Sequence, residues 1–117
     1  MDNLECGIDI VKVARITDEL AERILGEKEI DIYNAFINET RKREFAAGRF
    51  AAKEAFVKAA NMKGLDFSKI QFINDDTGRP VPDESLKNIV NASKIKVSIS
   101  HEHDYAVAIV VILREEN

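Results

Sequence analysis

One segment limits what this chain can fold into more than any other: Gly48–Ala60, which reads Gly-Arg-Phe-Ala-Ala-Lys-Glu-Ala-Phe-Val-Lys-Ala-Ala. Alanine is the strongest helix former, and Glu, Lys and Arg follow closely, so the segment predicts a helix. At about 100° per residue, Phe45, Ala52, Phe56 and Ala59 share one face, and Glu54 and Lys58 lie nearly opposite. Ala47 and Ala51 flank Glu54, and such small neighbours let a ligand or a second chain approach closely. The bland alternative is an i,i+4 Glu54–Lys58 pair on a solvated face, which stabilises a helix by about 0.2–0.5 kcal/mol.

A chain of 117 residues predicts one domain over residues 1–117, large enough for its own core. Hydrophobic content of 45% beside 32% charged residues is that of a globular protein. A net charge of −4 argues against a general nucleic-acid binder. Basic residues still gather locally in Arg41-Lys42-Arg43, a candidate anion site. The single cysteine, Cys6, excludes an intrachain disulfide, and its apolar surroundings read as strand core. Leu4–Ala14 is too short and too charged for a signal peptide or a membrane span, so the expected location is cytoplasmic, with no membrane partner.

Leu4–Val11 reads as a strand that carries Asp9 between two isoleucines, with Gly7 leaving room for close backbone approach. An aspartate in such a run is either a strand-end residue without special role or a metal ligand. Val13–Leu25 has helical spacing, with Thr17 or Asp18 as cap or interruption and Gly26 as its end; Arg15 and Arg23 lie off its apolar stripe. Glu29–Glu39 reads as a short helix that buries Ile30, Tyr33 and Phe36-Ile37. The long helix runs to about Asn61, with Gly64 as left-handed cap. Ile70–Asn74 alternates as a strand, Asp75-Asp76-Thr77-Gly78 signals a hairpin turn, and Arg79–Pro82 is an edge segment. Asp83 reads as the cap of a helix to Ala92. Ile95–Ser100 and Tyr105–Leu113 then read as strands joined by His101–Asp104. One strand, then helices, then mainly hairpins predicts an α+β fold, a mostly antiparallel sheet wrapped on the long helix.

Asp9 and Glu54 are the carboxylates in the most apolar or alanine-lined settings. Magnesium is held by one or two carboxylates together with waters and substrate phosphates. Arg41, Lys42, Arg49 and Lys58 supply positive charge for a polyphosphate. The chain has no Walker-type or dinucleotide glycine loop, so side chains and a metal would have to grip phosphates. Neither histidine belongs to a zinc-spaced cluster.

Gly7-Ile-Asp-Ile, Arg49-Phe-Ala-Ala-Lys-Glu-Ala-Phe-Val-Lys, Gly78-Arg-Pro and Val97-Ser-Ile-Ser-His101 follow one another along nearly the whole chain. In this order they resemble the small, single-repeat 4′-phosphopantetheinyl transferases, the holo-(acyl-carrier-protein) synthases. The resemblance implies a Mg-dependent transfer of 4′-phosphopantetheine from CoA to a serine of an apo acyl carrier protein, releasing 3′,5′-ADP, in fatty acid biosynthesis. It implies Asp9 and Glu54 as magnesium ligands and, with Lys58, as catalytic residues. It implies CoA contacts at Arg41, Arg49, Lys58, Arg79, Pro80 and His101, carrier contacts at Arg15 and Arg23, and a homotrimer with sites at subunit boundaries.

The chemistry is compatible: charge develops on the bridging oxygen of the leaving group, where a metal and cations stabilise it. Glu54, Asp9 through a water, and solvent all stand as acceptors for the serine proton. Two features depart from the family. The first helix is short and carries Asp18, Glu19 and Glu22 among its arginines, and the usual Gly-Thr-Gly loop after the long helix is reduced to Asn61-Met-Lys-Gly64. Rival readings are a non-catalytic CoA- or nucleotide-binding homologue and a trimeric scaffold.

Overall fold

A computed structural model describes residues 3–115. Strand β1 (Leu4–Lys12) leads through a short 3-10 turn, Val13–Arg15, to helix α1 (Asp18–Ile24). Thr17 caps α1 by accepting from the Leu20 amide at 3.1 Å, so the expected Val13–Leu25 helix is divided at Ile16-Thr17. Gly26 opens α2 (Glu27–Ala35), and Asn38 caps the long helix α3 (Glu39–Ala60). The left-handed residue that ends α3 is Asn61 (φ 54°) rather than the expected Gly64, asparagine being the non-glycine residue that best tolerates this conformation.

The second half begins with a hairpin of β2 (Phe72–Asn74) and β3 (Pro80–Pro82) around a turn whose Gly78 has φ +85°. Ile70 lies before the strand and is fully buried. Helix α4 (Leu86–Val90) follows. Ser85, not Asp83, precedes α4; Asp83 instead binds Ser85 and the Lys28 ammonium, the latter at 2.7 Å. Strands β4 (Ala92–His101) and β5 (Tyr105–Arg114) complete a three-stranded antiparallel sheet in the order β1-β5-β4. Helix α3 packs across one face of this sheet, and β3 lies beside β4. The expected α+β architecture, an antiparallel sheet on a long helix, is the one observed.

Gly7 fixes how β1 meets that helix. A Cβ there would collide with the Ala55 carbonyl oxygen and the Ala59 amide, so only glycine lets the two backbones approach. Side chains of a strand alternate faces, so Gly7 against the helix turns Asp9 and Val11 the same way. The same parity sends Cys6, Ile8 and Ile10 outward. Cys6 is therefore exposed on the outer sheet face and not in the core. Ala47 and Ala51 are fully buried: these two small residues of α3 admit the protein's own strands, not a ligand. Ile37, expected beneath the domain, is 97% exposed in the loop between α2 and α3.

Candidate active site

Chemistry gathers at two places on opposite flanks of α3. Against β1, the Lys58 ammonium reaches across to Asp9 Oδ1 and to the Ile8 carbonyl, both at 3.0 Å. This pairing with β1 replaces the i,i+4 pairing with Glu54 that the spacing allowed. Glu54 is half-buried beside them. Burial, and then the neighbouring Asp9 carboxylate, hold its carboxyl above the ordinary carboxylate range, with Lys58 and Arg15 opposing. Arg15 is thus close enough to act on Glu54 electrostatically. The two acids repel each other even with Lys58 and Arg15 nearby, and a divalent cation between them would relieve that repulsion. Among the described residues, no three His, Cys, Asp or Glu side chains form a cation cage. As a donor set, two carboxylates would suit magnesium, which takes one or two carboxylates and completes its shell with waters and phosphate oxygens.

On the other flank lies a cleft of about 530 Å³, bounded by α3, the β2–β3 hairpin and the end of β4. It brings together four residues that the resemblance singled out: Arg41, Arg49, Pro80 and His101. Gly48 lets the Ile99 side chain of β4 close against α3 at the floor of the cleft, since a Cβ there would come within 2.9 Å of it. Arg41 is exposed at the cleft. Arg49 is 6% exposed, its Nε donating to the Phe72 carbonyl at 2.9 Å and its Nη2 to the Asn74 side chain at 2.6 Å, over the Phe45 ring. Arg49 therefore ties the hairpin to α3 while lending charge to the cleft. Arg79 opens instead onto a neighbouring groove with Asp75, Pro82 and Lys96. Lys58 lies with Asp9, away from the cleft.

Several participants went unnoticed in the sequence. Glu44, Asn74 and Ile99 line the cleft, and Glu44 carried no signal beyond its place one turn after Arg41. Lys53 lies in the same alanine-rich helix as Lys58, and nothing in the spacing separates the two. Lys53 is fully buried against Glu29, at 2.5 Å, and donates also to the carbonyls of Phe67 and Ile70. Burial pushes the Lys53 ammonium below the ordinary lysine range, with Glu29 opposing. Glu29 accepts in addition from the Gly26 and Phe72 amides. Arg15 and Arg23 are exposed before and within α1. Asp18 is committed to the buried Tyr33 hydroxyl at 2.9 Å, which burial and that bond push up to about 12.

Known proteins share this fold. The sequence pattern of the 4′-phosphopantetheinyl transferase superfamily matches residues 5–110. The holo-(acyl-carrier-protein) synthase of Petrotoga mobilis is 40% identical over 115 residues, spanning 94% of this chain and 96% of the relative. That of a Geobacillus strain is 44% identical over 117 residues, spanning 92% and 94%. The crystal structure of the Bacillus anthracis holo-(acyl-carrier-protein) synthase in complex with CoA (3′,5′-ADP) superposes with a TM-score of 0.82 at 38% identity, covering 95% of this chain and 96% of that one. The Helicobacter pylori synthase in complex with coenzyme A gives 0.75 at 31%, covering 92% and 98%. With its carboxylate pair, its lysine and its cleft on this fold, the chain belongs to the 4′-phosphopantetheinyl transferase superfamily.

Proposed function

We propose that this protein transfers 4′-phosphopantetheine from CoA to a serine of an apo acyl carrier protein, in the cytoplasm, as a homotrimer whose sites lie between copies. The observation that carries the reading is the Asp9–Glu54–Lys58 cluster, in which Glu54 is held above the ordinary carboxylate range beside a second acid. Asp9 and Glu54 are the residues that would hold a magnesium ion, which would supply positive charge to the pyrophosphate. Lys58, whose side chain is 55% exposed, turns its ammonium to a phosphate oxygen when a ligand arrives. The serine oxygen bonds to the β-phosphorus, the bond from that phosphorus to the 3′,5′-ADP oxygen breaks, and the hydroxyl proton is released. Positioning and electrostatics do most of such a transfer.

The nucleotide end of CoA occupies the cleft of Arg41, Arg49, Pro80 and His101. That cleft is against β4 and the carboxylates are against β1, the two edges of a three-stranded sheet. The body of α3 stands between the two places. One CoA therefore reads as bridging the cleft of one copy and the carboxylates of its neighbour. The outer sheet face supports the assembly: Ile8, Ile10, Tyr105 and Ile109 leave 39–62% of their surface in water, a patch that a second copy would cover.

The carrier docks over Arg15 and Arg23. Arg15 acts electrostatically on Glu54, so a carrier bound there brings its serine to the carboxylate side. The acidic residues of α1 weaken long-range steering of an acidic partner.

Incubating the protein with CoA, magnesium and an apo carrier, and weighing the carrier, tests the reading. The expected gain is one phosphopantetheinyl group, with Glu54→Gln and Asp9→Asn each slower by on the order of 10²–10³-fold. An unmodified carrier with wild-type protein, or normal turnover by Glu54→Gln, would contradict it.

A further inference from the structure

A cleft suited to a polyphosphate also contains an acid. Glu44 lines it with Arg41, Arg49 and His101, and Glu44 Oε1 lies 2.8 Å from His101 Nδ1. A carboxylate repels phosphate oxygens, so binding an anion gives no reason for an acid here. Its contact with His101 does. A ring nitrogen at that distance from a carboxylate oxygen carries a proton and donates it, which leaves Nε2 as the ring atom available to a ligand. In neutral imidazole that Nε2 is an acceptor, and only in the imidazolium is it a donor. An ionised phosphate oxygen only accepts. Phosphate and His101 therefore fit each other once the ring holds two protons, with Glu44 receiving one and the phosphate the other.

The surroundings single out Glu44 for this task. From α3, the Arg41 and Arg49 guanidiniums face the same cleft and oppose a charged ring. The hairpin residues that line it, Asn74, Gly78 and Pro80, bring no titratable group. Beyond His101, the Glu102 carboxylate is taken by the amides of Asp104 and Tyr105 at 2.8 Å, and Asp104 is paired with His103 at 3.0 Å. Glu44 is the acid in contact with the His101 ring.

We propose that Glu44 is a positioning residue that fixes the proton of His101 on Nδ1 and enables the ring to take up a second proton when a phosphate monoester of the nucleotide enters the cleft. Binding of such a nucleotide is then coupled to proton uptake, while the same nucleotide without the monoester binds without it. Glu44 acts through His101 and touches no phosphate. The proposal deepens the reading of the cleft as the nucleotide site and rests on it.

Calorimetric titration of the full-length protein with CoA and with dephospho-CoA, in two buffers of different ionisation heat, reads the coupling directly. It is best done on the alkaline side of neutrality, where the phosphate monoester is itself ionised. Wild-type protein is expected to take up a fraction of a proton with CoA and none with dephospho-CoA. Glu44→Gln preserves size and polarity; it should lose the uptake and reduce the preference for CoA over dephospho-CoA roughly tenfold. Its affinity for dephospho-CoA should stay within about twofold of wild type, since no charge-assisted bond to that ligand is lost. His101→Gln should abolish the uptake as well. Equal proton uptake with both ligands, or Glu44→Gln binding both as wild type does, overturns the proposal and leaves the cleft reading intact. Failure of wild-type protein to bind either compound overturns the cleft reading and this proposal together.

Discussion

Helix α3 offers two lysines to two acids, five positions apart, and the two pairs have little else in common. Lys53 and Glu29 are both fully buried, and every polar contact of the pair ends on a backbone group or on the partner. Lys58 and Asp9 are 55% and 19% exposed, and a further acid, Glu54, stands beside them with its proton affinity raised. The first pair is satisfied by the fold and has nothing left for a ligand. The second keeps a water-exposed ammonium and two acids crowded together, a strain that the proposed metal would relieve. Charge in a helix therefore says little until the surroundings of each charged atom are known.

The widest separation should appear between the two lysines. Lys53→Ala strands Glu29 in the core and is expected to cost about 3–5 kcal/mol of stability, whereas Lys58→Ala should stay within about 1 kcal/mol. Urea unfolding of both variants measures the difference, and similar midpoints for the two would erase the contrast. A smaller separation is expected between the arginines of the cleft. Arg49→Ala removes the guanidinium that bonds Phe72, Ile73 and Asn74, and should cost about 2–3 kcal/mol along with CoA affinity. Arg41→Ala should leave stability within about 0.5 kcal/mol and weaken CoA roughly tenfold. Thermal melts beside CoA titrations separate the two roles.

The smallest effect concerns Glu54 and pH. Its carboxyl ionises near 4.5 in the unfolded chain and only at higher pH in the fold, so the folded state binds more protons across that window. Ionised Glu54 thus destabilises the metal-free fold above its raised value, and the penalty fades as pH falls toward 4.5. Glu54→Gln should raise the melting temperature at neutral pH, with a gain that shrinks on acidification. A gain that grows on acidification would reverse the sign of the shift.

Much of this architecture was legible in the chain. The alanine-rich segment announced α3, alternation announced β4, the apolar β-branched run Tyr105–Leu113 announced β5, and Gly7 beside Asp9 announced a close backbone approach near a carboxylate. What escaped depended on parity and depth. Cys6, Ile8 and Ile10 look like core until Gly7 is seen to face Ala55, which turns them outward. Lys53 looks like Lys58 until one is found beneath Glu29. Glu44 and His101 are 57 residues apart in sequence and meet only because β4 ends over the first turns of α3. Asp18 likewise reads as a surface acid, and its bond to the Tyr33 hydroxyl makes Glu19 and Glu22 the better positions for testing carrier steering by charge reversal.

The central claim is that one working site is assembled from the carboxylate side of one copy and the cleft of the next. Co-refolding equal amounts of Glu54→Gln and Arg41→Glu, each disabled alone, tests it most directly. Random pairing around a ring should leave about one site in four with both halves intact, and transfer to the carrier should return to that order in the mixture. Activity of the mixture no greater than the mean of the two separate variants would contradict the claim and assign both halves of the site to a single chain.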